Sequence, residues 1–356
     1  MRKCQGPTTR TCQGQIPRTC RGQSLCMLLC FFFILICVAL LVIVIKFQWI
    51  FWGCSYSIPS TPPIIQFLPS RIAFGSCVSN DIDADIFNNI HADVFVFLGD
   101  NIYADTTNPW IMSRFYNRLS CMQSFRDMVR RTPVTLAIWD DHDYGGDNAG
   151  GDYPMKFQSQ KMFLDFWNIP LRSDRRRGFG VYGTYRFQSP AGSISIILPD
   201  LRFYRDPEIS VNGAYVPTNG SMLGVSQWTW LENEIIFSQK NDNLTIIGSS
   251  TQFGHSPNGY ESWNLYPIDR QRLLKLIDPK KTLVISGDVH WGEISNASGV
   301  LDVTASGLSV RDKNVLPNSN RVGRAYPDYN YGLIDLVQRT VSIMTADNTV
   351  AVQVSF

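Results

Sequence analysis

The chain has 356 residues, of which 44% are hydrophobic, so it is long enough to bury the core of one large domain. Its 32 basic and 30 acidic residues give a formal net charge of +2, and part of the basic excess lies in the first 23 residues. This balance gives no support for a nucleic acid partner.

The first 23 residues form a basic tail. They contain five basic residues and no acidic one, and we predict an irregular cytoplasmic segment, residues 1–23. Cys4, Cys12 and Cys20 recur in this tail at intervals of eight residues, without histidines or close cysteine pairs. A metal site is therefore not favoured, and palmitoylation or an inert tail remain as alternatives.

Residues 24–45 carry no charge and are almost wholly apolar. A helix of these 22 residues would span the roughly 30 Å hydrocarbon core of a bilayer. Trp49 and Trp52 follow where an interfacial aromatic belt is expected. The alternative is a cleaved signal peptide, but its apolar region would measure only about 7 to 15 residues. We therefore predict a transmembrane signal-anchor helix over residues 24–45.

Flanking charges predict the orientation of this helix. Basic residues precede it and only Lys46 follows closely, which indicates a single-pass protein with a cytoplasmic N-terminus. The remaining chain is then extracellular or lumenal. Glycosylation sequons at Asn219, Asn243 and Asn296 all fall on this outer side and predict a glycoprotein.

The outer part of the chain contains three of the nine cysteines, Cys54, Cys77 and Cys121. This odd number predicts at least one free thiol or metal ligand. Residues 46–70 are rich in proline and predict an extended stalk rather than a folded element. The globular domain is predicted over residues 71–356.

Four hydrophobic segments of that domain end in side chains that can bind metals. Their apolar residues run without alternation, which is typical of strands buried on both faces of an α/β sheet. Ligands of such sheets gather at the carboxyl ends of the strands. The segments comprise residues 71–77, 93–103, 135–143 and 282–290.

Thiol, phenol, imidazole and carboxylate groups therefore meet at one predicted sheet edge. These groups would repel one another, and their desolvation would be costly, unless cations lay among them. The sequence thus predicts a metal centre. Its candidate groups are Cys77, Asp100, Tyr103, Asp141, His142, Asp288 and His290.

Helical patterns alternate with the strands. Such alternation predicts a layered α/β fold, and the β-rich end of the chain indicates a second sheet. A hairpin is predicted over residues 181–198. The predicted helices cover residues 85–90, 109–131, 155–167, 226–238, with a cap at Ser226, and 269–277.

The ordered motifs resemble those of a known family. Phe74-Gly75-Ser76-Cys77, Gly99-Asp100-Asn101-Ile102-Tyr103, Trp139-Asp140-Asp141-His142 and Gly287-Asp288-Val289-His290 are similar to the PhoD-like (alkaline phosphatase D) branch of the calcineurin-like metallophosphoesterases. The resemblance implies a four-layer α/β/β/α metallophosphoesterase sandwich. It also implies hydrolysis of phosphate mono- or diesters.

The resemblance carries residue roles onto matching positions. It implies that Asp100 bridges two metal ions, and that His142, beside Asp141, contacts the phosphoryl group or protonates the leaving oxygen. The remaining implied ligands are Cys77, Tyr103 and His290 for an iron-like ion, with Asp141 and Asp288 for the second cation.

Some positions depart from the family pattern. Related sequences carry Asn-Asp where this chain has Asp147-Asn148, and no histidine matches a further ligand of the wider superfamily, although His255 is nearby in sequence. Arg202 is a candidate for binding the substrate phosphate, with a solvated ion pair with Asp206 as the alternative. The possible metal or substrate contacts are therefore Asp147, Asn148, Arg202 and His255.

Phenolate and thiolate on one ion and carboxylates on the other predict iron with calcium, with zinc, manganese or magnesium as alternatives. The resulting hypothesis is attack on a phosphate ester by a metal-bound hydroxide, without a phosphoenzyme. The alternative is a catalytically inactive, glycosylated surface binding module that keeps the fold.

Overall fold

The computed structural model describes residue 29 and residues 31–41, 56–79 and 85–356. Residues 31–41 are helical and exposed. Within the described residues, no helix combines the length and apolar character needed to cross a membrane. The predicted tail and parts of the predicted transmembrane helix and stalk lie outside the described residues.

Fifteen strands are present among the described residues. They are, in chain order, β1 (Ile64–Ile65), β2 (Arg71–Gly75), β3 (Val94–Leu98), β4 (Val134–Ile138), β5 (Gly183–Ser189), β6 (Gly192–Leu198), β7 (Ile209–Val211), β8 (Ala214–Val216), β9 (Leu244–Gly248), β10 (Thr282–Ser286), β11 (Gly292–Ala297), β12 (Val300–Ala305), β13 (Asn330–Asp335), β14 (Thr340–Thr345) and β15 (Val350–Ser355).

These strands form two large sheets and one hairpin. The seven-stranded sheet has the order β1-β5-β6-β9-β10-β12-β11, and the six-stranded sheet has the order β15-β14-β13-β2-β3-β4. β2, β3 and β4 run parallel, as do β6, β9, β10 and β12. β7 and β8 form a separate hairpin. The predicted strands that end in metal-binding side chains are all confirmed as parallel strands.

Helices lie on both sides of the sheets. A cluster of aromatic rings joins the six-stranded sheet to its helices, with Phe87 against Phe95, Phe97 and Phe125 at centroid distances of 6.0 to 6.4 Å. The helices, after the helical residues 31–41, are α1 (Ile86–Asn89), α2 (Pro109–Cys121), α3 (Gln123–Arg131), α4 (Asp141–Tyr144), α5 (Lys156–Phe166), α6 (Gly224–Asn241) and α7 (Pro267–Leu276).

A second hydrophobic cluster packs α6 and α7 against the seven-stranded sheet. Trp228 and Leu231 of α6 and Leu273 of α7 lie against Ile247 and Val284 of that sheet. The predicted mixed α/β class is therefore confirmed, with helices flanking two sheets.

Three local predictions differ from the structure. The helix predicted over residues 109–131 is two helices, because Met122 adopts an extended conformation between them. α6 begins after Leu223 and is not capped by Ser226. The proline-rich residues 56–70 are not a free stalk, since Ile58 and Ile65 are buried and β1 pairs with β5. Burial of these side chains joins this segment to the domain.

Candidate metal centre

The predicted metal-binding side chains follow strand ends in an unusual backbone conformation. Cys77, Asp100, Asp288 and His290 have positive φ values of 66°, 48°, 79° and 64°. L-residues adopt this left-handed region at an energetic cost, and such residues concentrate at functional sites. The surrounding structure holds these four residues there and turns their side chains toward one point.

Asp100 lies at the centre of this cluster. Its Oδ2 is 3.4 Å from Cys77 Sγ and 3.4 Å from the hydroxyl oxygen of Tyr103. The same hydroxyl is 3.0 Å from Nε2 of His290. Two sets of ligand atoms, each within 4.8 Å of one another, share Asp100: Cys77, Asp100 and His290 form one set, and Asp100, Asp141 and His142 form the other.

Burial of these acids without a countercharge disfavours their ionised forms. Burial, with further contributions from Cys77 and Asp141, raises the pKa of Asp100 well above its usual value. Burial also raises the pKa of the Cys77 thiol and of the Tyr103 hydroxyl. Cations among these groups would reverse this effect.

One oxygen at the centre lacks a partner. Asp100 Oδ1 is buried and has no hydrogen bond within the described part of the chain. Burying a carboxylate oxygen without a hydrogen-bond partner costs free energy, and a metal ion bound to that oxygen would offset this cost. Sulfur, nitrogen and oxygen donors surround it, so the residues present fit two or more metal ions.

Two further carboxylates border this centre. Burial opposes ionisation of Asp141, but the charges of Arg202 and His142 outweigh it and lower its pKa to about 2. Asp141 Oδ2 accepts a hydrogen bond of 2.7 Å from the backbone N–H of Asn148. Asp288 Oδ2 accepts one of 2.7 Å from the Thr251 hydroxyl. Both carboxylates are therefore held in place by neighbouring loops.

His142 has a carboxylate partner that the sequence did not identify. Its Nδ1 lies 2.5 Å from Asp105 Oδ1, and its ring packs on Tyr103 at a centroid distance of 4.4 Å. Burial alone would lower the pKa of His142, but this hydrogen bond and the charge of Asp141 raise it to about 9. Asp105 thus fixes the orientation of the ring and favours its charged form.

Arg202 is not placed to bind substrate, which corrects that prediction. Its side chain is fully buried, with Nε 2.5 Å from Asp140 Oδ1 and Nη2 2.7 Å from Glu261 Oε1. Nη1 of Arg205 also contacts Glu261, at 2.7 Å. Arg202 does form ion pairs, but they are buried and involve Asp140 and Glu261, not the solvated pair with Asp206 that was the alternative. This network holds Asp140, which directly precedes Asp141 of the metal centre in the chain.

The cluster opens into a cavity of about 460 Å³. Asp147 and Asn148 line it, together with the metal-centre residues Asp141, His142, Asp288 and His290. His255 does not line it, because its ring is buried with Nε2 3.7 Å from Glu293 Oε1. The structure thus brings Asp147 and Asn148 to the site and places His255 elsewhere.

Further residues line the cavity. The sequence predicts a pocket wall formed by residues 144–154, 200–221 and 252–267, and the last two of these segments contribute Tyr215 of β8 and Tyr260. Asp312, from a loop after β12, belongs to no recognisable motif and escaped the sequence analysis. Asp105 follows Tyr103 by two residues, so its proximity to the motif was the one available signal.

The sequence profile of the PhoD-like phosphatase family matches residues 81–307, well over half of the chain. No curated protein sequence matches the chain. Among solved structures, PhoD superimposes with a TM-score of 0.62 at 16% identity, covering 84% of this chain and 70% of PhoD.

Two other folds are similar. GAP50, described as the anchor in the inner membrane complex of Plasmodium, has a TM-score of 0.53 at 14% identity, covering 81% of this chain and 88% of its own. The purple acid phosphatase PPD1 of yellow lupin has a TM-score of 0.52 at 12% identity, covering 81% of this chain and 53% of its own. At these identities the likeness concerns the fold, and the family profile carries the assignment. The chain therefore belongs to the PhoD-like phosphatase family and is a phosphoesterase of the hydrolase class.

Proposed function

We propose that the protein is a membrane-anchored, metal-dependent phosphoesterase that hydrolyses phosphate mono- or diesters outside the cytoplasm. One observation carries the metal dependence. The buried Oδ1 of Asp100 has no partner among the described residues, yet thiol, imidazole and carboxylate donors lie around the same side chain. A fold without cations would have no physical reason to gather so many ionisable groups.

The donor types suggest which metals these are. Cys77, Tyr103 and His290 would hold an iron-like ion with Asp100, because thiolate, phenolate and imidazole suit transition metals. Asp141 and Asp288 would hold a harder cation such as calcium, for which oxygen ligands are preferred. Zinc, manganese and magnesium are the alternatives.

The metal ions and the residues of the chain would have different roles in hydrolysis. Metal ions bound here would supply positive charge for the phosphoryl oxygens and make water more acidic. His142, with Nδ1 held by Asp105, can give a proton to the leaving oxygen only from Nε2. Cys77 is fully buried and unsuited to attack the substrate. Water therefore displaces the leaving group directly, with inversion at phosphorus.

Membrane attachment and location rest on three observations. The helical residues 31–41 are uncharged and exposed, as a lipid-facing helix would be. Cys121 is disulfide-bonded, which fits an oxidising compartment outside the cytoplasm. The sequon asparagines are all exposed: Asn219, Asn243 and Asn296.

A glycosylated binding module without turnover is the second candidate. It is favoured by the similarity of fold to GAP50, which is described as an anchor. Such a module would need the fold and its surface but not hydrolysis. The two candidates therefore differ in one property, which is turnover of a phosphate ester.

Hydrolysis by the purified full-length protein separates them. The substrates are para-nitrophenyl phosphate and its bis-ester, with Asp100→Asn as the test variant and Asp174→Asn as the control. Asp174 has a side chain that is 94% exposed and does not line the cavity at the metal centre. We expect wild type and control to hydrolyse at least one ester, and Asp100→Asn to lose at least about 100-fold in kcat. A wild-type protein that binds metal and hydrolyses neither ester would favour the binding module.

A further inference from the structure

The cavity at the metal centre is poor in cationic side chains apart from His142. Of the described residues that line it, none is lysine or arginine. The nearby Arg202 and Arg205 are buried and already paired with carboxylates, including Glu261, which both contact. A substrate that carried a second anionic group would therefore find no lysine or arginine to receive it, since His142 is assigned to the leaving oxygen.

Two carboxylates near the cavity mouth lie outside the metal-ligand sets. Asp147 is exposed and lies close enough to Tyr215 to contribute, after burial and Glu208, to raising the pKa of that phenol. Asp312 lies beside His290, whose carbonyl oxygen accepts a 2.9 Å hydrogen bond from the Asp312 amide. Neither carboxylate forms an ion pair within the described ranges 56–79 and 85–356. Asp312 Oδ1 accepts a 2.8 Å hydrogen bond from the backbone amide of Asn314, and both carboxylates belong to the lining of the cavity.

Two phenol rings complete this wall. The amide of Tyr215 donates a 2.8 Å hydrogen bond to the carbonyl oxygen of Gly259, which fixes β8 against the loop that carries Tyr260. Tyr260 is 60% exposed although it is a large ring beside a cavity. Faces of tyrosine rings attract ammonium groups, and nearby carboxylates strengthen that attraction.

We propose that this cavity selects phosphate esters whose alcohol part carries an ammonium group, with Asp147, Asp312, Tyr215 and Tyr260 as the residues that recognise it. This inference rests on the proposed phosphoesterase function. Esters with a second phosphate or a carboxylate are disfavoured, because they meet the same two carboxylates. The preference lies in the alcohol part alone, since the phosphoryl group is held by the metal centre in every case.

The test compares two esters of the same shape. Phosphocholine carries a quaternary ammonium, and 3,3-dimethylbutyl phosphate replaces its nitrogen by carbon. The ratio of their kcat/KM values cancels any effect on the metal centre common to both. Ion pairs at exposed sites and cation–π contacts each contribute modestly, so we expect a wild-type ratio of about ten.

The variants locate the source of the preference. Asp147→Asn with Asp312→Asn lowers the ratio about threefold, Tyr260→Leu lowers it about threefold, and the three substitutions together bring it to about one. The exposed Asp174→Asn control leaves it unchanged. Vesicles of phosphatidylcholine, compared with phosphatidylglycerol, distinguish a lipid headgroup from a free ester, and a preference for choline in either setting supports the proposal.

Two outcomes overturn it in distinguishable ways. The first outcome is hydrolysis of para-nitrophenyl phosphate together with a phosphocholine to 3,3-dimethylbutyl phosphate ratio of one or less, or with a ratio that is insensitive to substitution of both carboxylates. It contradicts the proposed specificity but not the proposed phosphoesterase function. Failure to hydrolyse any of the esters removes the proposed function, and the specificity with it.

Discussion

Asp105 Oδ1 lies 2.5 Å from Nδ1 of His142, at the mouth of a centre in which Asp100 belongs to both sets of metal-binding atoms. Asp105 itself has a positive φ of 43°, so the backbone is held in a disfavoured conformation where this contact is made. The contact fixes which nitrogen of His142 faces the substrate.

Asp105→Asn tests this relationship. The amide keeps the shape of the side chain but loses its charge, so His142 loses the group that favours its protonated, correctly oriented form. We expect kcat to fall by about 100-fold, the lower range for general acid catalysis, with KM changed little. Steady-state kinetics with para-nitrophenyl phosphate measures both. Asp152→Asn, a charge change in a nearby loop, serves as the control, and equal activity of Asp105→Asn and wild type would contradict the assigned role.

Arg202→Met tests the buried ion-pair network. The substitution keeps an apolar stem but leaves Asp140 buried without its countercharge and Glu261 paired with Arg205 alone. We expect the free energy of unfolding to fall by about 3 to 5 kcal/mol, as measured by urea denaturation. Arg177, whose side chain is 68% exposed, provides the control Arg177→Met, for which we expect a change below about 0.5 kcal/mol. A loss at Arg202 no larger than at Arg177 would show that the network contributes little.

Gly332→Ala tests the packing of the six-stranded sheet. A Cβ at Gly332 would lie 2.0 Å from the Phe74 ring, one strand away in β2. The ring cannot move freely because it is fully buried, so we expect a destabilisation of about 1 to 3 kcal/mol. At Gly178 the nearest atom would be 3.6 Å away, and Gly178→Ala is the control for urea denaturation. Equal stability of the two variants would indicate that β2 and β13 are spaced differently.

Glycosylation tests the proposed location. Exposed sequon asparagines in a lumenal domain become modified, whereas the same tripeptides in the cytoplasm do not. We expect treatment of the protein from a eukaryotic host with an N-glycosidase to lower its mass. Replacement of Asn219, Asn243 and Asn296 by glutamine should abolish that shift. An unmodified wild-type protein would argue against a lumenal or extracellular domain.

The strands that carry the site could be predicted because their signal is local. Val94 to Leu98 form an unbroken apolar run, and Asp100 follows two residues after it. The same reasoning located Cys77, Asp141 and Asp288. Parallel strands deliver their carboxyl ends to one edge, so the convergence followed from the pattern.

The remaining features depend on tertiary contacts that no local pattern records. The burial of Arg202 depends on Asp140 and Glu261, which are 62 and 59 residues away from it in sequence. The sequence predicts that Ile65 belongs to a proline-rich linker, but Ile65 is buried in β1, which pairs with β5. Tyr215 of β8 and Asp312 are positioned by backbone hydrogen bonds to Gly259 and His290, which are distant from them in sequence.

Elemental analysis of the purified full-length protein tests the central claim most directly. The account predicts at least two equivalents of metal per chain in the wild type, including a transition metal. It also predicts loss of most of this metal in Asp100→Asn, because Asp100 belongs to both ligand sets, with the Asp174→Asn control unchanged. A wild type without stoichiometric metal, or an Asp100→Asn variant that retains all of it, would contradict the account.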